Sequence, residues 1–127
     1  MKLSEKELSV MKVLWEYATP LTTGEIVEYC VDKTWKETTI HMLINNLLDK
    51  GAIKVVGMAK TARTYSRTFA PTISRSEYFI DSFNDGKALD DISIRAMASS
   101  LIHNKNISKE TLDILSEQIR REKEKHN

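Results

Sequence analysis

A single cysteine, Cys30, is all the thiol chemistry this chain has, which excludes an internal disulfide framework and a metal site built from several thiolates. Cys30 sits among Ile26, Val27, Tyr29 and Val31 in a helical pattern and reads as a small buried hydrophobe rather than a redox sensor. The histidines, His41, His103 and His126, are too far apart for ligand spacing, so no metal and no cofactor are expected. There is no phosphate-binding glycine loop, no nucleophile elbow and no pair of catalytic carboxylates. Asp90-Asp91 comes nearest, but adjacent residues on a helix point in different directions, and the pair suits a helix N-terminus better. An enzyme is therefore not expected. No apolar run approaches a membrane span, and Glu5 and Glu7 interrupt any signal-peptide pattern, so the expected location is cytoplasmic.

What is present is a globular composition: 127 residues, 41% hydrophobic and 29% charged, enough for one domain with an appendage. Net charge is only +1, but it is unevenly spread. Residues 1–75 hold 11 basic against 8 acidic side chains, and residues 76–127 hold 8 against 10. From Lys50 to Ser76 there are six basic residues (Lys50, Lys54, Lys60, Arg63, Arg67, Arg75) and no acidic one. An acid-free basic segment suits a polyanion, although a solvated loop would also accommodate it.

Ser4 with Glu7 has capping-box spacing, and Leu8, Met11, Leu14, Trp15 and Ala18 follow at helical period, predicting a helix over residues 5–18. Thr19-Pro20 ends it. Thr22 with Glu25 repeats the box ahead of a second helix over 23–32. A third begins near Lys36 or Glu37, with Ile40, Leu43, Ile44, Leu47 and Leu48 as its apolar stripe, and Lys50-Gly51 stops it. The period then changes to two: residues 52–56 and 64–69 read as strands joined by a basic connection. Three helices followed by a hairpin is the order of a winged helix-turn-helix, predicted over residues 1–70.

Residues 71–127 read as a second, all-helical segment. Ser74 with Glu77 opens one helix, ending at Gly86; another spans 88–103; Ser108 caps the last. Three short helices make a thin core. Phe79, Phe83, Met97, Leu101, Leu112, Leu115 and Ile119 are expected to be buried against a second copy of the chain, the competing arrangement being a fold-back onto the N-terminal half. The fold class is thus mainly α: a winged helix-turn-helix followed by a three-helix dimerisation segment.

A recognition helix buries one stripe and presents short side chains to base edges. Asn45 and Asn46 can pair with adenine, and Thr38, Thr39 and Met42 can touch thymine methyls, with His41 on the same surface. Lys36, Lys50, Lys54, Lys60, Arg63 and Arg67 flank that helix and are expected at phosphates. Glu37 and Asp49 oppose this reading, as they would repel phosphate. The alternative is a winged-helix module that binds protein instead of DNA.

The run from Trp35 to Ile53 (WKETTIHMLINNLLDKGAI), together with Leu3-Ser4-Glu5-Lys6-Glu7-Leu8 and Val10-Met11-Lys12-Val13-Leu14-Trp15, resembles the penicillinase repressor family of bacterial transcriptional regulators. The likeness covers nearly the whole chain, and the C-terminal helices match only in character. It implies a homodimeric repressor on a palindromic operator, controlling resistance or stress genes. In the beta-lactam branch it also implies a membrane metalloprotease sensor that triggers cleavage in the dimerisation segment. The departures are specific. His41 replaces a residue that is often basic, Asn46 replaces an arginine and Met42 replaces a threonine, so a different operator is implied. The C-terminal cysteines of the copper-sensing branch are missing. Ser100-Leu101 stands where the beta-lactam branch has its cleaved Asn-Phe bond, and Phe83-Asn84 has the reverse order.

Overall fold

The computed structural model describes residues 1–31, 34–83 and 89–126. Helix α1 (Glu5–Tyr17) is followed by a short strand β1 (Leu21–Thr22), helix α2 (Thr23–Tyr29), a 3-10 turn (Glu37–Thr39), helix α3 (Ile40–Asp49), strands β2 (Ile53–Lys60) and β3 (Tyr65–Pro71), and helices α4 (Arg75–Phe83), α5 (Asp91–Ile102) and α6 (Lys109–Lys125). The three strands form an antiparallel sheet in the order β1-β3-β2. This is the expected winged helix followed by C-terminal helices.

Both N-terminal capping boxes form as the spacing predicts. Glu7 N donates to Ser4 Oγ at 3.2 Å and Ser4 N donates back to Glu7 Oε1 at 2.8 Å. Thr22 and Glu25 repeat this at 3.2 and 2.9 Å. Each box satisfies backbone donors that a helix start leaves without partners. At the other end of α3, Gly51 takes φ +75°, the left-handed cap for which a Cβ-bearing residue is strained.

The core lies between the three helices and the sheet. Val10, Met11 and Leu14 from α1 meet Ile26 from α2, Leu43, Ile44 and Leu47 from α3, and Phe69 from β3, all buried. Among the described residues, the carboxylate buried with them is Glu7, only 2% exposed. Its Oε1 accepts from Lys50 Nζ at 2.6 Å, and Lys50 also donates to the Lys2 carbonyl at 3.0 Å. Burial by itself raises the pKa of Glu7. The hydrogen bonds from Lys50 and Ser4 and the Lys50 charge outweigh it and hold the carboxyl below its ordinary value.

The sequence reading differs from the structure in several places. β1 was not expected: two residues after Pro20 are too few to show a period, and only their pairing with Phe69 and Thr68 makes them a strand. α2 ends at Tyr29, with Cys30 as its buried C-cap, rather than at residue 32. β2 runs to Lys60 instead of stopping at 56, because a bulge between Val55 and Gly57 restores the pairing that Gly57 was expected to end.

Contacts group the chain into Met1–Lys87 and Ala88–Asn127. Within the first unit, α4 packs on Trp15. Its Nε1 donates to the Ile73 carbonyl at 2.9 Å, and its ring lies 5.8 Å from buried Tyr78 and 6.2 Å from Phe79. Helix α4 thereby belongs to the first unit. Phe79, expected to face a second copy, spends part of its surface on Trp15 of its own chain. The predicted stop at Gly86 and the side chain of Phe83 lie outside the described residues.

In the second unit, Asp90 Oδ1 caps α5 by accepting from Ser93 N at 2.7 Å, and Ser108 Oγ caps α6 by accepting from Thr111 N at 3.0 Å. No described side chain of either helix is buried. No described helix is long and apolar enough to cross a membrane.

Replacing Lys50 with Met should leave the Glu7 carboxylate in the core without its cation. The expected loss is about 1–3 kcal/mol of unfolding free energy at pH 7, read by urea denaturation. Because the folded state holds Glu7 below its ordinary pKa of 4.5, its contribution is present above that value and is lost as pH falls through the folded pKa. The gap between wild type and variant should therefore narrow as pH falls below 4.5, and a gap independent of pH contradicts the assignment.

Candidate nucleic-acid interface

Helix α3 is sided by its own sequence. Ile40, Leu43, Ile44 and Leu47 are buried, and a helix that buries those phases must present the opposite ones. His41, Met42 and Asn45 are exposed, and Thr38 is exposed in the 3-10 turn that leads in. Thr39 and Asn46 are only half exposed. Of the two asparagines singled out by the sequence, Asn45 stands fully on the open face and Asn46 lies at its margin.

Trp35 fixes the turn that delivers this helix. Its ring is buried, and Nε1 donates to Ser9 Oγ at 2.8 Å, while Ser9 Oγ donates to the Lys6 carbonyl at 2.6 Å. The indole N–H is thus satisfied through a hydroxyl on α1, and the approach to α3 is tied to the first helix. Ser9 gave no signal in the sequence, because its partner lies 26 positions away.

The wing is the β2–β3 hairpin. Its tip closes where Thr61 N donates to the Thr64 carbonyl at 2.6 Å, leaving Ala62 and Arg63 at the apex. Register pairs Met58 with Arg67 and Lys60 with Tyr65, which places these four side chains on one face of the ribbon. The Arg67 guanidinium lies over the Phe69 ring at 5.2 Å, so it is anchored to the edge of the core. Lys54 pairs with Ala70 and belongs to the other face. Lys60 and Arg67 therefore share one face, with Arg63 exposed at the tip beyond them, while Lys54 lies on the other face and Lys36 precedes α3. Met58 and Tyr65, both more than half exposed, were missed as surface features; the bulge between Val55 and Gly57 shifts the alternation, so period two alone does not place Met58 on this face.

Lys50, expected at a phosphate, has a second role in the fold while its side chain stays 39% exposed. Its ammonium is already engaged by the Glu7 carboxylate and the Lys2 carbonyl, and removing it would strand a buried charge.

In the second unit the residues expected at a dimer interface remain uncovered within one chain. Leu101, Leu112 and Ile119 are exposed, and Met97 and Leu115 are half exposed. Arg120, Arg121, Glu117 and Glu124 make ion pairs along α6, a solvated charged face beside the apolar one.

Comparison with known proteins gives two findings. The penicillinase repressor family model matches residues 3–121. A penicillinase repressor of Bacillus licheniformis is 28% identical over 134 residues, an alignment covering 97% of this chain and 96% of that protein.

Replacing Ser9 with Ala should deprive the buried Trp35 N–H of its acceptor. An expected cost of about 1–3 kcal/mol follows from an unpaired buried donor. The check is chemical denaturation followed by tryptophan fluorescence, and an unchanged midpoint contradicts the role given to Ser9.

Proposed function

Given that the chain belongs to the penicillinase repressor family, a family of transcriptional repressors, we propose that it acts in the cytoplasm as a homodimer on a two-fold symmetric operator. The observation that carries this is the pairing of α3, apolar on one side and short and polar on the other, with an acid-free basic wing. Helix α3 enters the major groove, where Asn45 reads a base edge, with Thr38, His41 and Met42 beside it. Lys60, Arg63 and Arg67 contact phosphate, supported by Lys36 and Lys54. Thr39 and Asn46 take marginal positions on the same surface.

The dimer rests on the second unit. Its helices leave Leu101, Leu112 and Ile119 in water, and a second copy offers the same surface in return, so one two-fold contact covers both. Two chains then present two copies of α3, and half-sites about 10 base pairs apart, or a multiple of that spacing, follow. The genes controlled are those of a beta-lactam-type resistance response, with a membrane metalloprotease sensor upstream. The relative's name, penicillinase repressor, and the resemblance of the two chains along nearly their whole lengths support this last step.

Two measurements test the reading. Binding to operator and to scrambled duplex across a salt series separates the surfaces. Arg63→Ala should weaken both DNAs alike and lower the salt slope by about one unit. Asn45→Ala should instead reduce discrimination at one base pair, at a cost on the order of 1–3 kcal/mol. If Arg63→Ala alters sequence preference while Asn45→Ala leaves it intact, the two surfaces are reversed. Placing Glu at both Leu115 and Ile119 should convert the protein to a monomer in sedimentation velocity and weaken operator binding. A doubly substituted chain that still sediments as a dimer removes α6 from the interface.

A further inference from the structure

No lysine or arginine occurs in α3 from Ile40 to Asp49, and the one at its C-cap, Lys50, is held by Glu7 and the Lys2 carbonyl. The commonest way to read guanine in the major groove, a bidentate Arg or Lys on O6 and N7, is therefore not available to this helix. Its open face offers an amide, Asn45, and one large apolar side chain, Met42, placed three residues before it and four after Thr38. Met42 is 53% exposed. It is not a stray core residue, since Ile40, Leu43, Ile44 and Leu47 complete the buried stripe without it.

A thioether left half bare gains free energy only when something apolar covers it. Its spacing from Asn45 puts both side chains on one face, so a groove that admits Asn45 must admit Met42 as well. The apolar group on a base edge in the major groove is the 5-methyl of thymine, whereas the other groups there are hydrogen-bond donors and acceptors. An unbranched, polarizable side chain can settle on such a methyl without an exacting fit.

We infer that Met42 packs on a thymine methyl in each operator half-site, beside the base pair at which Asn45 meets adenine. This rests on the operator binding proposed above, and it makes the contacts of α3 a reader of A·T pairs, with a methyl group as the chemical feature recognised.

The test uses the full-length protein. Duplexes are first selected from a random library by the wild-type chain, and the consensus duplex is then synthesised with each thymine of one half-site replaced in turn by uracil. That change deletes the methyl and keeps every hydrogen-bonding group. At one thymine the uracil duplex should bind wild type about fourfold more weakly, the worth of one buried methyl. Met42→Ala should bind the thymine and uracil duplexes equally, and Met42→Leu should keep the difference. Since Met42 is on the surface, neither variant should shift the thermal melt, which is the check on folding. Uniform indifference to uracil overturns the inference, as does an equal uracil penalty in Met42→Ala. Failure to enrich any sequence overturns the operator reading itself, an outcome distinguishable from a selected site whose thymine methyls do not matter.

Discussion

The Glu7 carboxylate is buried in the first unit, and it ties two separate parts of the chain together. One oxygen takes the backbone N–H of Ser4, which starts α1, and the ammonium of Lys50, which ends α3. The next residue, Gly51, turns the chain into the wing, and its carbonyl accepts from the Thr72 hydroxyl at the far end of the sheet. A charge in this position is costly unless it is fully paired, so the geometry around it tolerates little variation. The start of the first helix and the end of α3 are thereby fixed against one another by Glu7, and the Thr72 hydroxyl joins the base of the wing to the residue that follows, Gly51.

That arrangement also decides where positive charge is available. Lys50 at the end of α3 is paired internally, and the exposed cations include Lys60, Arg63 and Arg67 on the hairpin and Lys36 ahead of α3. In the function proposed above, attraction to DNA and discrimination among sequences fall to different elements: one is long-ranged and screened by salt, the other is short-ranged and depends on shape and hydrogen bonding. On that reading, substitutions on α3 change sequence preference without changing the electrostatic attraction.

Much of the fold was legible because its signals are local. Capping boxes span three positions, the α3 stripe repeats within ten residues, and Gly51 marks a left-handed cap by its identity. What was not legible depends on partners far along the chain. Strand β1 exists only through β3, and the bulge that extends β2 is a property of pairing. For Lys50 the charge was visible and its partner, 43 residues earlier, was not. Trp15 likewise gave no hint that it would hold α4 through Ile73, Tyr78 and Phe79. On the candidate interface, helical phase identified which side of α3 is exposed, and burial then separated Asn45 from Asn46.

Helices α5 and α6 contain no buried side chain among their described residues. Helices in that state have little to hold them closed beyond their own hydrogen bonds, so their free energy of opening is small and their amides are open to exchange and to proteases. The central strand β3, with Phe69 in the core, lies at the opposite extreme. If a second copy covers the helices, their protection becomes a function of protein concentration through mass action. Newly made or scarce chains are then the ones most readily degraded, and the cell's standing stock of this protein falls off faster than its rate of synthesis.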